Sequence, residues 1–127
     1  MRMLLYKPGC DPQEVDVKAN ELELSAIVGT RDYEWMTVRM LGICVIHDSE
    51  GKAAGKKLNR MLGMTPLYGD FLVCGITWDD DGNTSAVSLA DKQATLVKDI
   101  IFNKFPQGDD VAANLPSYAR KKREQDS

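Results

Sequence analysis

Residues 46–60, IHDSEGKAAGKKLNR, gather the types that hold phosphates: Lys52, Lys56, Lys57 and Arg60, beside the glycines Gly51 and Gly55. Glycines let the backbone approach an anion closely, and lysine or arginine supplies the countercharge. A Walker loop needs G-x-x-x-x-G-K-[ST], so that successive amides wrap the phosphates and a hydroxyl reaches magnesium. Here three residues separate the glycines, and Lys57 stands where the hydroxyl belongs. Neither the long following helix nor a parallel βαβ context accompanies the loop, which argues against ATP hydrolysis. What survives is a loop that holds a phosphate or nucleotide without catalysis, set against the ordinary fate of loop lysines, which is solvation.

Other chemistry finds weaker footing. Cys44 and His47 have the C-x-x-H spacing of metal ligands, but on a strand an odd separation sends them to opposite faces. His47 is the only histidine, so general-base work would fall to it or to a carboxylate such as Asp48. WDDDGN resembles a calcium loop, but its glycine sits at position 82 and no closing glutamate follows; a hairpin turn at Asp81-Gly82 or Gly82-Asn83 suits it better. No metal site and no cofactor is expected. Tyr33, Trp35, Tyr68 and Trp78 could stack a base or anchor a partner, with core packing the bland reading, favoured for Trp35 in mid-strand. Tyr68 opens the strand after the basic loop and is the aromatic expected nearest to it.

These residues sit on a chain of 127 residues with 16 basic and 19 acidic side chains, the size of one domain with a core of its own. The mildly acidic balance gives no global field for nucleic acid or an anionic membrane. Cys10, Cys44 and Cys74 are odd in number and widely spaced, as in a reduced cytoplasmic protein with small buried thiols. MRMLLYKPG is too short in its apolar run for a signal peptide, and no stretch reaches the roughly 20 apolar residues of a membrane span.

The elements follow from periodicity. MLLY and QEVDVK read as an opening hairpin, and Asn20 caps a short helix with Glu23 completing a capping box and Gly29 ending it. YEWMTVRM and ICVIH form a central hairpin, with Tyr33, Trp35 and Thr37 on one face and Met36 and Val38 on the other. After a turn-rich passage at Gly63 and Pro66, YGDFLVCGITW reads as a strand buried on both faces. Ser88 with Asp91 opens a second helix along Leu96, Val97, Ile100, Ile101 and Phe105 until Pro106. The expectation is a single α+β domain over residues 1–105, order β-β-α-β-β-β-α, with an antiparallel or mixed sheet of about five strands and two helices. Residues 106–127 read as a disordered polar tail, in which basic residues 120–123 are offset by nearby acids. Edge strands such as residues 3–6 offer a route to homo-oligomers.

The opening LLYKPG, the turn SEGKAAGKKLNR ending in Asn59-Arg60, LYGDFLVCGI and a last helix introduced by VSLADKQ together resemble the domain-of-unknown-function family 3846 over about residues 3–105. The positions that carry the resemblance are Gly51, Asn59, Arg60, Gly69 and Leu89; the basic tail departs from it. The resemblance implies an α+β fold and a phage or mobile-element setting, and gives no reaction. The reading is therefore a non-enzymatic binding module that engages a host protein, with inhibition of host defence as one role, or sequesters a phosphate-bearing small molecule. Its contact set is Lys52, Lys56, Lys57, Asn59, Arg60 and Tyr68. The alternative is a nucleotide-acting enzyme using His47, Asp48 or Cys44.

Overall fold

The structure is a computed structural model that describes residues 1–114. Its strands are β1 (Arg2–Tyr6), β2 (Gln13–Asp16), β3 (Tyr33–Val38), β4 (Ile43–Asp48), β5 (Leu58–Leu62), β6 (Thr65–Tyr68), β7 (Phe71–Trp78) and β8 (Thr84–Val87). Its helices are α1 (Glu21–Val28), α2 (Asp91–Leu96), which runs on as a π-turn over Val97–Ile101, and α3 (Gly108–Ala113). The class is α+β as expected, with more strands than the sequence suggested.

The apolar run of β7 forms the middle of the sheet because only there are both faces covered. The order is β2-β1-β7-β4-β3, all antiparallel. β8 also pairs with β7: β1 takes Phe71, Leu72 and Val73, and β8 takes the stretch from Gly75 to Trp78, so the two share one flank end to end. Residues 3–6 are thus interior, not an edge; among the described residues β2 and β3 end the order, and β8, paired with β7 alone, is a third edge.

Strand alternation sorts the core into two clusters. On one face Leu4, Tyr6, Ile43, Val45, Phe71 and Val73 meet Ala94, Val97 and Phe102 of the α2 segment, together with Leu67 of β6. On the other, Met3, Cys44, Ile46, Leu72, Cys74 and Ile76 meet Leu24 and Val28 of α1. The Asn20 side chain accepts from the Glu23 amide, and Gly29, at φ 85°, closes the helix. Glu23 itself reaches back to the Lys18 amide instead of completing the box at Asn20.

Four expected boundaries move. The passage at Gly63 and Pro66 is the β5–β6 hairpin, which contains Asn59, Arg60 and Tyr68 as strand residues. Ser88 does not cap α2: its hydroxyl accepts from the Arg2 amide, and Gln93 bonds to the amide of Ala90 at the helix start. That helix ends at Ile101, before Phe105. Within the segment read as a disordered tail, residues 108–113 form α3, whose neighbour Asn114 accepts a hydrogen bond at its carbonyl from the Tyr68 hydroxyl. The basic residues 120–123 lie outside the described residues.

Candidate functional site

In the segment from Asp48 to Gly69, four polar side chains, Asp48, Lys56, Asn59 and Arg60, turn inward. Lys56 Nζ pairs with the buried Asp48 carboxylate at 2.8 Å and donates to the Val28 carbonyl at the end of α1, at 3.0 Å. A cation at a helix C-terminus satisfies a carbonyl that the helix itself leaves open and lies favourably in its dipole. The Lys56 stem crosses Gly69, where a Cβ would come 2.7 Å from Lys56 Cδ. Gly69 also has φ +73°, which side chains disfavour, so two independent reasons call for glycine there.

Asn59 and Arg60 are deeper still. Asn59 Nδ2 donates to the carbonyls of Tyr6 (2.9 Å) and Gly69 (2.7 Å), tying the end of β1 to the turn before β7. Arg60, 2 % exposed, donates to the Asn59 carbonyl, the Asn59 side-chain oxygen and the Cys10 carbonyl. Its guanidinium lies between two rings, 5.3 Å from the centroid of Tyr6 and 4.3 Å from that of Phe105. Burial lowers its proton affinity, and burial also pushes the Tyr6 hydroxyl up to about 12. Among the described residues, carbonyls, the Asn59 side-chain oxygen and aromatic faces hold this charge directly, with the Asp11 carboxylate acting at longer range.

The family model for the domain of unknown function DUF3846 matches residues 1–101. The chain belongs to that family. No curated protein and no solved structure matches it. In this DUF3846 protein, Gly51, Asn59, Arg60 and Gly69, four positions that carry the resemblance, all fall in the same clasp. Gly51 is required by space: a Cβ there would lie 2.9 Å from the Tyr68 Cβ and 3.1 Å from its carbonyl oxygen. The fifth, Leu89, is buried just ahead of α2, its amide bonded to the Arg2 carbonyl. The family positions account for how the DUF3846 chain closes on itself.

The proposed contact set is thereby divided. Asn59, Arg60 and Tyr68 are buried and Lys56 is engaged inside the fold, so none of these four presents an open cationic surface. Lys57 is exposed and Lys52 half-buried, and they remain at the surface of the loop. His47 and Cys44 point to opposite faces of β4, as their spacing predicts: Cys44 belongs to the α1-side core, while His47 alternates with it and stands across from Glu34 of β3. Burial lowers the His47 proton affinity against the opposing pull of Glu34 and Asp48. Among the described residues no group of three or more metal-ligating side chains occurs.

The feature that sequence reasoning passed over lies on the α1 side of the DUF3846 sheet. α1 has eight residues, about 12 Å of helix at 1.5 Å each. It leaves open a groove of about 280 Å³ lined by Trp35 and Thr37 of β3, Cys44 of β4, Ile76 of β7 and Thr84, Ser85 and Ala86 of β8. Trp35 is 44 % exposed, against the expectation that it packs in the core. Trp78, 47 % exposed, stands opposite Thr84 on the same face, with the Arg39 guanidinium 5.4 Å from its ring centroid. The signal was present in the sequence as a helix too short to cover its sheet.

Proposed function

We propose that this DUF3846 protein is a non-enzymatic binding module, an accessory protein of a phage or mobile element that engages a host protein through the sheet face beside α1. The observation that carries this reading is the pair of half-exposed tryptophans on one face, with Trp35 lining a groove whose floor includes Cys44, Ile76 and Ala86. Rigid aromatic side chains around a concave apolar floor are the usual anchors of protein recognition. Trp35 also belongs to β3, an edge strand with unpaired backbone groups available to an incoming segment. Where the host protein serves defence, such engagement inhibits it.

The geometry gives less support to a phosphate-bearing small molecule. Lys56 and Arg60 are committed to the fold, the described residues lining the groove beside Trp35 include no lysine or arginine, and the Arg39 guanidinium near Trp78 is already stacked on that ring. It also gives little to the enzyme alternative, because Cys44 and His47 diverge across β4 and the Asp48 carboxylate is bound to Lys56.

The test is affinity capture from the host, followed by titration of the purified partner. Trp35→Glu and Trp78→Glu should weaken binding at least tenfold while Lys52→Glu with Lys57→Glu leaves it intact. The opposite pattern, or a phosphorylated small molecule that copurifies and is lost in the lysine variant, overturns the reading and returns the basic loop to the centre.

A further inference from the structure

Thr37, Cys44 and Cys74 stand directly opposite one another on β3, β4 and β7, in one row across the sheet. The row lies on the face that α1 half covers, and its first two members line the tryptophan groove. Cys44 thus lines the floor of the groove, though only 1 % exposed, while Cys74, beside it on β7, is fully buried and is not part of the lining.

Directly opposed residues of an antiparallel pair have Cβ atoms about 4.5–5.5 Å apart. A disulfide asks for about 3.5–4.5 Å, so the two strands are within roughly 1 Å of the spacing that a cross-strand bond requires. The two cysteines are register partners on adjacent strands and belong to one core cluster. The Cys44 thiol donates weakly to the Val45 carbonyl at 3.9 Å, and the neighbouring Cys74 and then Thr37 pull it below its ordinary range despite burial. Cys44 in turn, with burial, pushes Cys74 upward. Cys10, the remaining cysteine, is exposed and stands apart from the row.

We propose that Cys44 and Cys74 form an oxidation site for small hydroperoxides, in which Cys44 meets the peroxide and Cys74 resolves the product as a cross-strand disulfide. The Cys44 thiolate attacks one peroxide oxygen, the O–O bond breaks, and the leaving oxygen takes a proton, giving a sulfenic acid and water for hydrogen peroxide. Cys74, losing its proton, then attacks the Cys44 sulfur. The S–S bond forms, the S–O bond breaks, and a second water leaves. Two electrons from the two sulfurs have reduced the peroxide, which is the only oxidant needed. The division of labour follows from access: a molecule entering the groove reaches Cys44 first. The new bond would lie under the floor between Trp35 and Ile76, so oxidation reshapes the groove from below whatever occupies it.

The experiment uses the full chain with Cys10→Ser, which removes the exposed thiol. Brief treatment with hydrogen peroxide under native conditions should remove two hydrogens from the intact mass, yield a Cys44–Cys74 cross-linked peptide on digestion and preserve the circular-dichroism signal. Adding Cys74→Ser should stop the reaction at a Cys44 sulfenic acid that dimedone captures. Both thiols remaining alkylatable after denaturation, or a disulfide that forms only in urea, overturns the proposal. If the Cys74→Ser chain does not fold, Thr37→Val decides instead: it leaves both sulfurs in place and should slow disulfide formation severalfold, and an unchanged rate counts against Cys44 as the first group to react.

Discussion

β4 supplies side chains to two regions with opposite characters. At its end, Asp48 holds Lys56, and with Asn59, Arg60 and Gly69 the chain closes into a clasp in which charged and amide groups are taken inside. At Cys44 the same strand forms the floor of a groove whose Trp35 wall is half left in solvent. Burial here does not follow residue type. A guanidinium is buried because carbonyls from Asn59 and Cys10 and two aromatic faces converge on it; an indole is exposed because the helix above its sheet stops after eight residues. The clasp is thus read as fold and the groove as contact surface.

The sharpest way to break that division is Arg60→Ala. It strips partners from buried carbonyls and leaves a void between Tyr6 and Phe105, and should cost about 3 kcal/mol by denaturant unfolding. A loss under about 1 kcal/mol would mean that the clasp is peripheral. Lys56→Ala should follow at about 2 kcal/mol, since it strands the buried Asp48 carboxylate yet acts on a lysine that water partly reaches. Making the double variant with Asp48→Asn should recover part of that loss. Gly69→Ala should cost about 1–2 kcal/mol from its positive φ, with the Lys56 stem giving way.

Smaller again is the contribution of His47. The folded chain resists its protonation, whereas the unfolded chain takes the proton near pH 6.5. The stability it protects is therefore fully present above about pH 6.5 and is lost as the pH falls toward the lower folded value. Melting temperatures measured from pH 7 to pH 5 should drop less for His47→Gln than for the parent chain. Smallest of all should be Trp35→Ser and Trp78→Ser, within about 0.5 kcal/mol of the parent, because neither ring is fully enclosed. A loss comparable with Arg60→Ala would make the tryptophans core residues and remove the groove as a contact surface.

The sequence was most readable where local signals suffice. The central strand showed in Phe71, Leu72, Val73 and Cys74; α1 showed in Asn20 and Gly29; and the face alternation of Tyr33, Trp35 and Thr37 against Met36 and Val38 is the one observed. Misreadings arose where distant partners decide. Ser88 has the look of a helix cap, but the Arg2 amide claims its hydroxyl. β8 is four residues of small and β-branched type beside a turn, too short to announce itself without β7 to pair with. Arg60 reads as a surface cation until Cys10, Tyr6 and Phe105 are brought around it. The groove was hidden for the converse reason: its evidence is a mismatch between the length of α1 and the breadth of the sheet, which no single motif contains.

The sharing of one flank of β7 by β1 and β8 also has a kinetic meaning. The Arg2 amide finds its hydroxyl partner 86 positions away at Ser88, and the interior strand β1 has only the edge strand β2 beside it until β7 arrives. Folding must therefore close a very long loop before the sheet is continuous, an entropic toll that local hairpins do not face. Synthesis from the amino terminus leaves β1 waiting while most of the chain is made, and a fragment ending before Phe71 lacks the strand that joins the β1–β2 and β3–β4 hairpins.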